Sequence, residues 1–205
     1  MAKEMIKVSL TEFMNFVNKS GSAKLTVVSQ AKIRHEDEYQ KFMDYWLKLR
    51  ESIKRVHRKG LAKEELFNIL EDVSDDKKEN YANAISGYCQ FLKNNKVTWV
   101  QPPRKTWAVG NFRVELNPEL GLIIKGKTHF IKLFLSPNDK LDKRHADLIL
   151  TLMEHELREK VESNAVFGVL DIKRGKMFVY QNNEKKLYSL LKAEAQSFET
   201  IWLEI

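Results

Sequence analysis

The chain has a single cysteine, Cys89, in 205 residues. That excludes an intramolecular disulfide and any zinc site built from several thiolates. Cys89 lies in the pattern Tyr81, Ala84, Ile85, Tyr88, Cys89, Leu92, the apolar face of a predicted helix. It therefore reads as a small buried hydrophobe rather than a nucleophile. With only 8 glycines and 4 prolines, a loop-rich or low-complexity chain is excluded. No apolar run reaches membrane-spanning length, and the opening residues MAKEMIKVSLTEF contain no long apolar region, so no secretory signal is expected. A cytoplasmic protein without a membrane partner is the resulting expectation. The five histidines, His35, His57, His129, His145 and His155, show no metal spacing. His155-Glu156 lacks the second histidine of HExxH, since position 159 is Glu. There is no Walker loop, nucleophile elbow or dinucleotide glycine pattern.

What the chain does have is charge and enough apolar residues for a core. Hydrophobic residues make up 43% and charged ones 31%, which predicts a folded protein. The formal net charge of +7 favours a polyanionic partner, although ordinary solubility accounts for it equally well.

Residues 1–96 read as a helical N-terminal region. Ser9 can cap a helix through Val17, with Leu10, Phe13, Met14 and Val17 on one face. Residues 23–33 fit either element, and Leu25-Thr26-Val27-Val28 can form a short strand. A longer helix is predicted over 37–59, carrying Tyr39, Phe42, Met43, Trp46, Leu49, Ile53 and Val56 and stopped by Gly60. Two more follow over 62–73 and 75–94. After Asn95 the pattern changes to strand-like runs at 97–100, 106–116, 120–124 and 128–135, with turns at Gly110-Asn111 and Lys125-Gly126. Pro137 closes this stretch. A helix over 141–161, a hairpin of 165–172 with 177–180 around Arg174-Gly175, and a helix over 185–203 complete the reading. The fold class is α+β, a mostly antiparallel sheet flanked by helices. Residues 97–205 form its core; the boundary at 96 separates compositions and need not separate independent units.

The most informative segment is Asn117 to Leu135, NPELGLIIKGKTHFIKLFL. Alternation along the second strand puts Phe130, Lys132 and Phe134 on one face and Ile131, Leu133 and Leu135 on the other. A lysine among phenylalanines needs a partner, a ligand or a route to water. Two readings stand. Lys132 meets an anion such as a phosphate, with Glu119 or Glu115 nearby; or its stem covers apolar surface while its head reaches water or pairs with a glutamate.

Pro118-Glu119 opening one strand, a hairpin, Lys132 within the next strand, then a helix and a further strand resembles the PD-(D/E)XK nuclease superfamily over residues 97–180. The helix at 75–94 would serve as the leading helix of an αβββαβ core. The resemblance implies a divalent metal, magnesium, held by acids, and a lysine that orients water or stabilises charge on a phosphate. Here it makes Glu119 and Lys132 the catalytic candidates, with Glu119 and Glu115, or Glu79, as metal ligands. The chain departs from the motif at Phe130, where the family has an acid.

Candidate phosphate contacts are the basic turns, Lys125 and Lys127, and Lys173, Arg174 and Lys176. Arg104-Lys105 lies between Trp99 and Trp107, an interleaving that suits phosphate contact with base stacking. Arg50, Lys54 and Arg58 recur four apart on one helix face. Solvated faces and turn tips are the competing account. Asn138, Asp139 and Asp142 are expected to cap a helix rather than bind calcium. Two functions follow as expectations: a nucleic-acid-binding protein, a metal-dependent phosphodiesterase if catalytic; or a non-enzymatic interaction or regulatory module using exposed Trp46 and Trp99.

Overall fold

A computed structural model describes residues 5–36, 44–93, 95–136, 138–181 and 185–205. The chain is α+β, as the sequence predicts. Strand β1 (Ile6–Ser9) leads into α1 (Leu10–Val17) and α2 (Ser22–Glu36). Then come α3 (Leu47–Lys59), a 3-10 helix Lys63–Glu71, and α4 (Asp75–Leu92). Strands β2 (Val97–Trp99), β3 (Lys105–Val109), β4 (Phe112–Leu116), β5 (Leu120–Ile124) and β6 (Lys127–Phe134) follow. The chain ends with α5 (Lys143–Leu157), β7 (Val166–Asp171), β8 (Lys176–Val179) and α6 (Lys185–Glu204). Among the described residues no helix is long and apolar enough to cross a membrane.

The strands divide into two sheets. The smaller has the order β1-β4-β3 and the larger β2-β5-β6-β7-β8. Most pairings are antiparallel; β1 with β4 and β6 with β7 are parallel. Helix α5 makes the crossover that a parallel β6–β7 pair requires.

Two hydrophobic cores explain why the central strands are apolar on both faces. On one face Phe130, Phe167 and Val169 join the buried residues of α5 and α6, together with Phe13, Phe16 and Phe112. On the other, Leu120, Leu122, Ile131, Leu133 and Leu170 pack against Leu49, Ile53 and Val56 of α3 and Tyr81, Ile85 and Tyr88 of α4. Each fully buried aliphatic side chain contributes about 1.5–3 kcal/mol relative to exposure. Residues 6–31 belong to the first core and residues 46–92 to the second, so both parts of the N-terminal region cover or extend sheet surface.

Local chemistry sets several boundaries as read. Ser9 and Glu12 form a capping box on α1, and Gly60 ends α3 in the left-handed conformation at φ 63°. Asp142 caps α5, its carboxylate accepting from the His145 N–H at 2.7 Å. Gly110-Asn111 splits the run at 106–116 into β3 and β4.

The open choice at 23–33 resolves as helix: Val28 and Ala31, three residues apart, are buried on α2, which packs against α1 and α6, and among the described residues no strand pairs with them. Other expectations are corrected. The 62–73 segment is a 3-10 helix, and the helix expected to Val161 ends at Leu157, followed by a 3-10 turn Arg158–Lys160. Strand β1 was not anticipated. Tyr39, Phe42 and Met43 of the expected long helix, and Pro137, lie outside the described residues.

Candidate functional site

Glu119 immediately precedes β5, whose Leu120 is paired with Ile131, so Glu119 stands opposite Lys132 on the first-core face. Lys132 Nζ donates to Glu119 Oε1 at 2.5 Å, and Glu119 Oε2 accepts the Leu133 N–H at 2.8 Å. The two side chains are only 11% and 9% exposed. Both carboxylate oxygens are thus engaged, and the ammonium is neutralised by the carboxylate rather than offered to solvent. The pair links the start of one central strand to the middle of the next, a lock on hairpin register.

The other metal-ligand candidates do not join it. Glu115 lies on β4 of the smaller sheet, accepting from Thr106 Oγ1 at 2.8 Å and pairing with Lys7 at 3.2 Å. The Thr106 hydrogen bond, with help from Lys7, holds the Glu115 carboxyl below its usual range. Glu79 is exposed on α4, which covers the opposite face of the large sheet. Asp171 is buried, but its Oδ2 accepts from the Leu141 N–H at 3.2 Å and from Arg174 at 3.0 Å. Among the described residues no group of three or more His, Cys, Asp or Glu side chains is placed to hold a metal ion. A magnesium ion needs several free oxygens; a single carboxylate with both oxygens occupied does not fit it. Phe130, at the motif position of the missing acid, lines a cleft of about 490 Å³ with Thr128, Val100, Pro103 and Lys160.

The basic turns lie at opposite ends of the large sheet. The β5–β6 turn precedes β6, whereas the β7–β8 turn follows β7, and β6 and β7 run parallel. The length of the strands separates them by about 20 Å, so one contiguous contact does not include both. The second turn is also docked. A Cβ on Gly87 of α4 would lie 2.1 Å from the Ile172 carbonyl oxygen. Arg174 pairs with Asp171, Lys173 donates to Asn80 at 3.3 Å, and Lys176 sits 4.7 Å from the Phe178 ring centroid.

Arg104-Lys105 does not work as a unit with the two tryptophans. Lys105 pairs at 2.6 Å with buried Glu156, and Trp107 is buried, its Nε1 donating to the Tyr188 hydroxyl at 3.2 Å. Tyr188 donates to Glu156 at 2.6 Å, and His155 stacks on Tyr188 with centroids 3.5 Å apart. Burial, then the Glu156 hydrogen bond, push the Tyr188 hydroxyl up to about 12. Burial raises the Glu156 carboxyl, but hydrogen bonds from Lys105 and Tyr188 and the Lys105 charge outweigh it, for a net lowering. A carboxylate on the apolar stripe of α5 beside Met153 and Leu157 is the sequence signal that could have revealed this network. Trp46 is buried and stacked on Tyr81, which withdraws it as an exposed patch.

What remains is a basic edge. In the Arg50, Lys54, Arg58 row, Arg50 pairs with Asp44 and Lys54 with Glu51, while Arg58 lies 5.1 Å from the centroid of Trp99 on edge strand β2. Val97 is paired with Ile124 and Ile124 with Lys127. Lys96, Lys125 and Lys127 therefore cluster where β2 meets the β5–β6 turn. Arg55, Arg58, Lys59, Lys96, Lys125 and Lys127 are all exposed. Among the described residues none of the six has a carboxylate partner. No protein-family model matches the chain, and a search of curated proteins finds no relative.

Proposed function

We propose that this chain is a nucleic-acid-binding protein built on a nuclease-like core, in which Glu119–Lys132 is a structural ion pair and not a metal-dependent phosphodiesterase centre. The element order α4-β2-β5-β6-α5-β7 supports the resemblance: it has the sequence αβββαβ, with the β3–β4 hairpin inserted between the first two strands. Pro118-Glu119 opens the second of those strands and Lys132 lies in the third. The occupied Glu119 oxygens and the phenylalanine at 130 support loss of the metal chemistry.

The observation that carries the binding reading is the group of six exposed cations without carboxylate partners among the described residues. Clustered, uncompensated cations attract a polyanion by releasing its counterions. The test is affinity for DNA and RNA against salt, with and without magnesium. Binding is expected at 50 mM salt, falling steeply with added salt and indifferent to EDTA. Lys125→Ala and Lys127→Ala should each reduce the salt slope by roughly 0.7–0.9. Absence of binding at 50 mM salt refutes the reading; magnesium-dependent cleavage abolished by Lys132→Met refutes the structural role of the pair.

A further inference from the structure

We infer that the β2 edge takes a single strand of nucleic acid, with Trp99 as the stacking platform for an unpaired base and Arg58, Lys96, Lys125 and Lys127 as its phosphate contacts. This rests on the nucleic-acid reading above and adds the strand class and the point of contact.

Trp99 differs from the other three tryptophans. Trp46, Trp107 and Trp202 are 7%, 3% and 1% exposed and lie inside the cores, whereas Trp99 is half-buried at the rim of the second core, on an edge strand. The Arg58 guanidinium lies over its ring, 5.1 Å from the centroid. A base added to this pair stacks on the guanidinium plane or on the ring surface that Arg58 leaves open, and every base has a π-face, so such a platform is tolerant of sequence. A duplex already stacks its bases on one another and leaves none for Trp99.

The cations are arranged to suit the same strand. Trp99 is paired with Leu122, and Leu122 with His129; the next row toward the turn is Val97, Ile124 and Lys127. Lys127 is thus two strand positions from the Trp99 row, about 7 Å along the sheet. Lys96 lies one residue beyond Val97, beside Lys125. Arg55 and Lys59 flank Arg58 on the exposed side of α3, extending the basic track.

The experiment uses the full chain and its intrinsic tryptophan fluorescence. Oligo-dT, oligo-U and a DNA duplex of equal length are titrated at 50 mM salt. Both single strands should quench the emission and bind at least tenfold tighter than the duplex. Trp99→Ala should weaken single-strand binding about tenfold and remove the quench, while Trp99→Phe retains most of the affinity. Lys96→Glu with Lys127→Glu, at exposed positions that leave both cores intact, should abolish binding with an unchanged circular dichroism spectrum. Duplex binding as tight as single-strand binding, or Trp99→Phe and folded Trp99→Ala both at parental affinity, overturns this inference and leaves the broader reading standing. No binding of any of the three at 50 mM salt overturns both.

Discussion

Replacing Lys132 by methionine tests the Glu119–Lys132 pair directly. The change keeps the length and apolar stem of the side chain but removes the ammonium. Glu119 is then left as a buried carboxylate with one remaining donor, the Leu133 N–H. Removing one partner of a buried pair costs about 3–5 kcal/mol, because the survivor has lost its hydration without compensation. Each side chain retains about a tenth of its exposure, so the lower end, about 3 kcal/mol, is expected. For a chain of this length that is about 6–12 °C in Tm. The second arm is the Glu119→Gln/Lys132→Met double variant. Glutamine removes the buried charge and keeps a carbonyl oxygen for the Leu133 N–H, so at least about 2 kcal/mol should return. Urea unfolding followed by circular dichroism at pH 7 reads both arms. Repeating it in 1 M salt should leave the loss largely intact, since buried pairs are weakly screened. If Lys132→Met lies within about 0.5 kcal/mol of the parent, the size of an ordinary surface change, the pair is not a buried coupled unit. A double variant less stable than Lys132→Met refutes the charge argument.

Two further outcomes concern stability. Gly87→Ala places a Cβ 2.1 Å from the Ile172 oxygen and 2.5 Å from the Lys173 oxygen; the gain in helix propensity, about 1 kcal/mol, cannot offset backbone displaced from backbone. A loss of about 3 kcal/mol or more is expected, measured by calorimetry, and a variant as stable as the parent would show that the β7–β8 turn is not held against α4. His57 supplies a pH dependence. Burial lowers its pKa from 6.5 to about 4, and its Nε2 shares a hydrogen bond of 2.6 Å with the buried Tyr88 hydroxyl. The unfolded chain accepts the proton first as pH falls, so this contribution is complete above pH 6.5 and is lost as pH drops through 4. At 1.36 kcal/mol per unit it amounts to about 3 kcal/mol at most. His57→Gln should flatten the acid side of the stability–pH curve between pH 6.5 and 4, and an unchanged slope would assign that dependence to other groups.

The parts of the fold legible in the chain were those specified by neighbours in sequence. Ser9 with Glu12, Gly60 and Asp142 set helix ends through backbone donors and acceptors within a few residues. The alternation through Phe130, Lys132 and Phe134 fixed which residues share a face, and the Pro118-Glu119 and Lys132 spacing pointed to an acid–lysine contact that forms. Tertiary structure decided the rest, because it depends on contacts between distant segments. Ile6–Ser9 is too short to declare itself as a strand and becomes one only beside residues 112–115, more than a hundred positions away. Leu25–Val28 is β-branched enough for a strand, yet packing against α6 makes it helix. Charge behaves in the same way. Lys105, Lys125 and Arg174 look alike in the chain, but Glu156 neutralises the first, Asp171 pairs with the third, and among the described residues only the second has no carboxylate partner. Whether a cation is free is a property of what the fold brings beside it, and that follows from long-range pairing rather than local pattern.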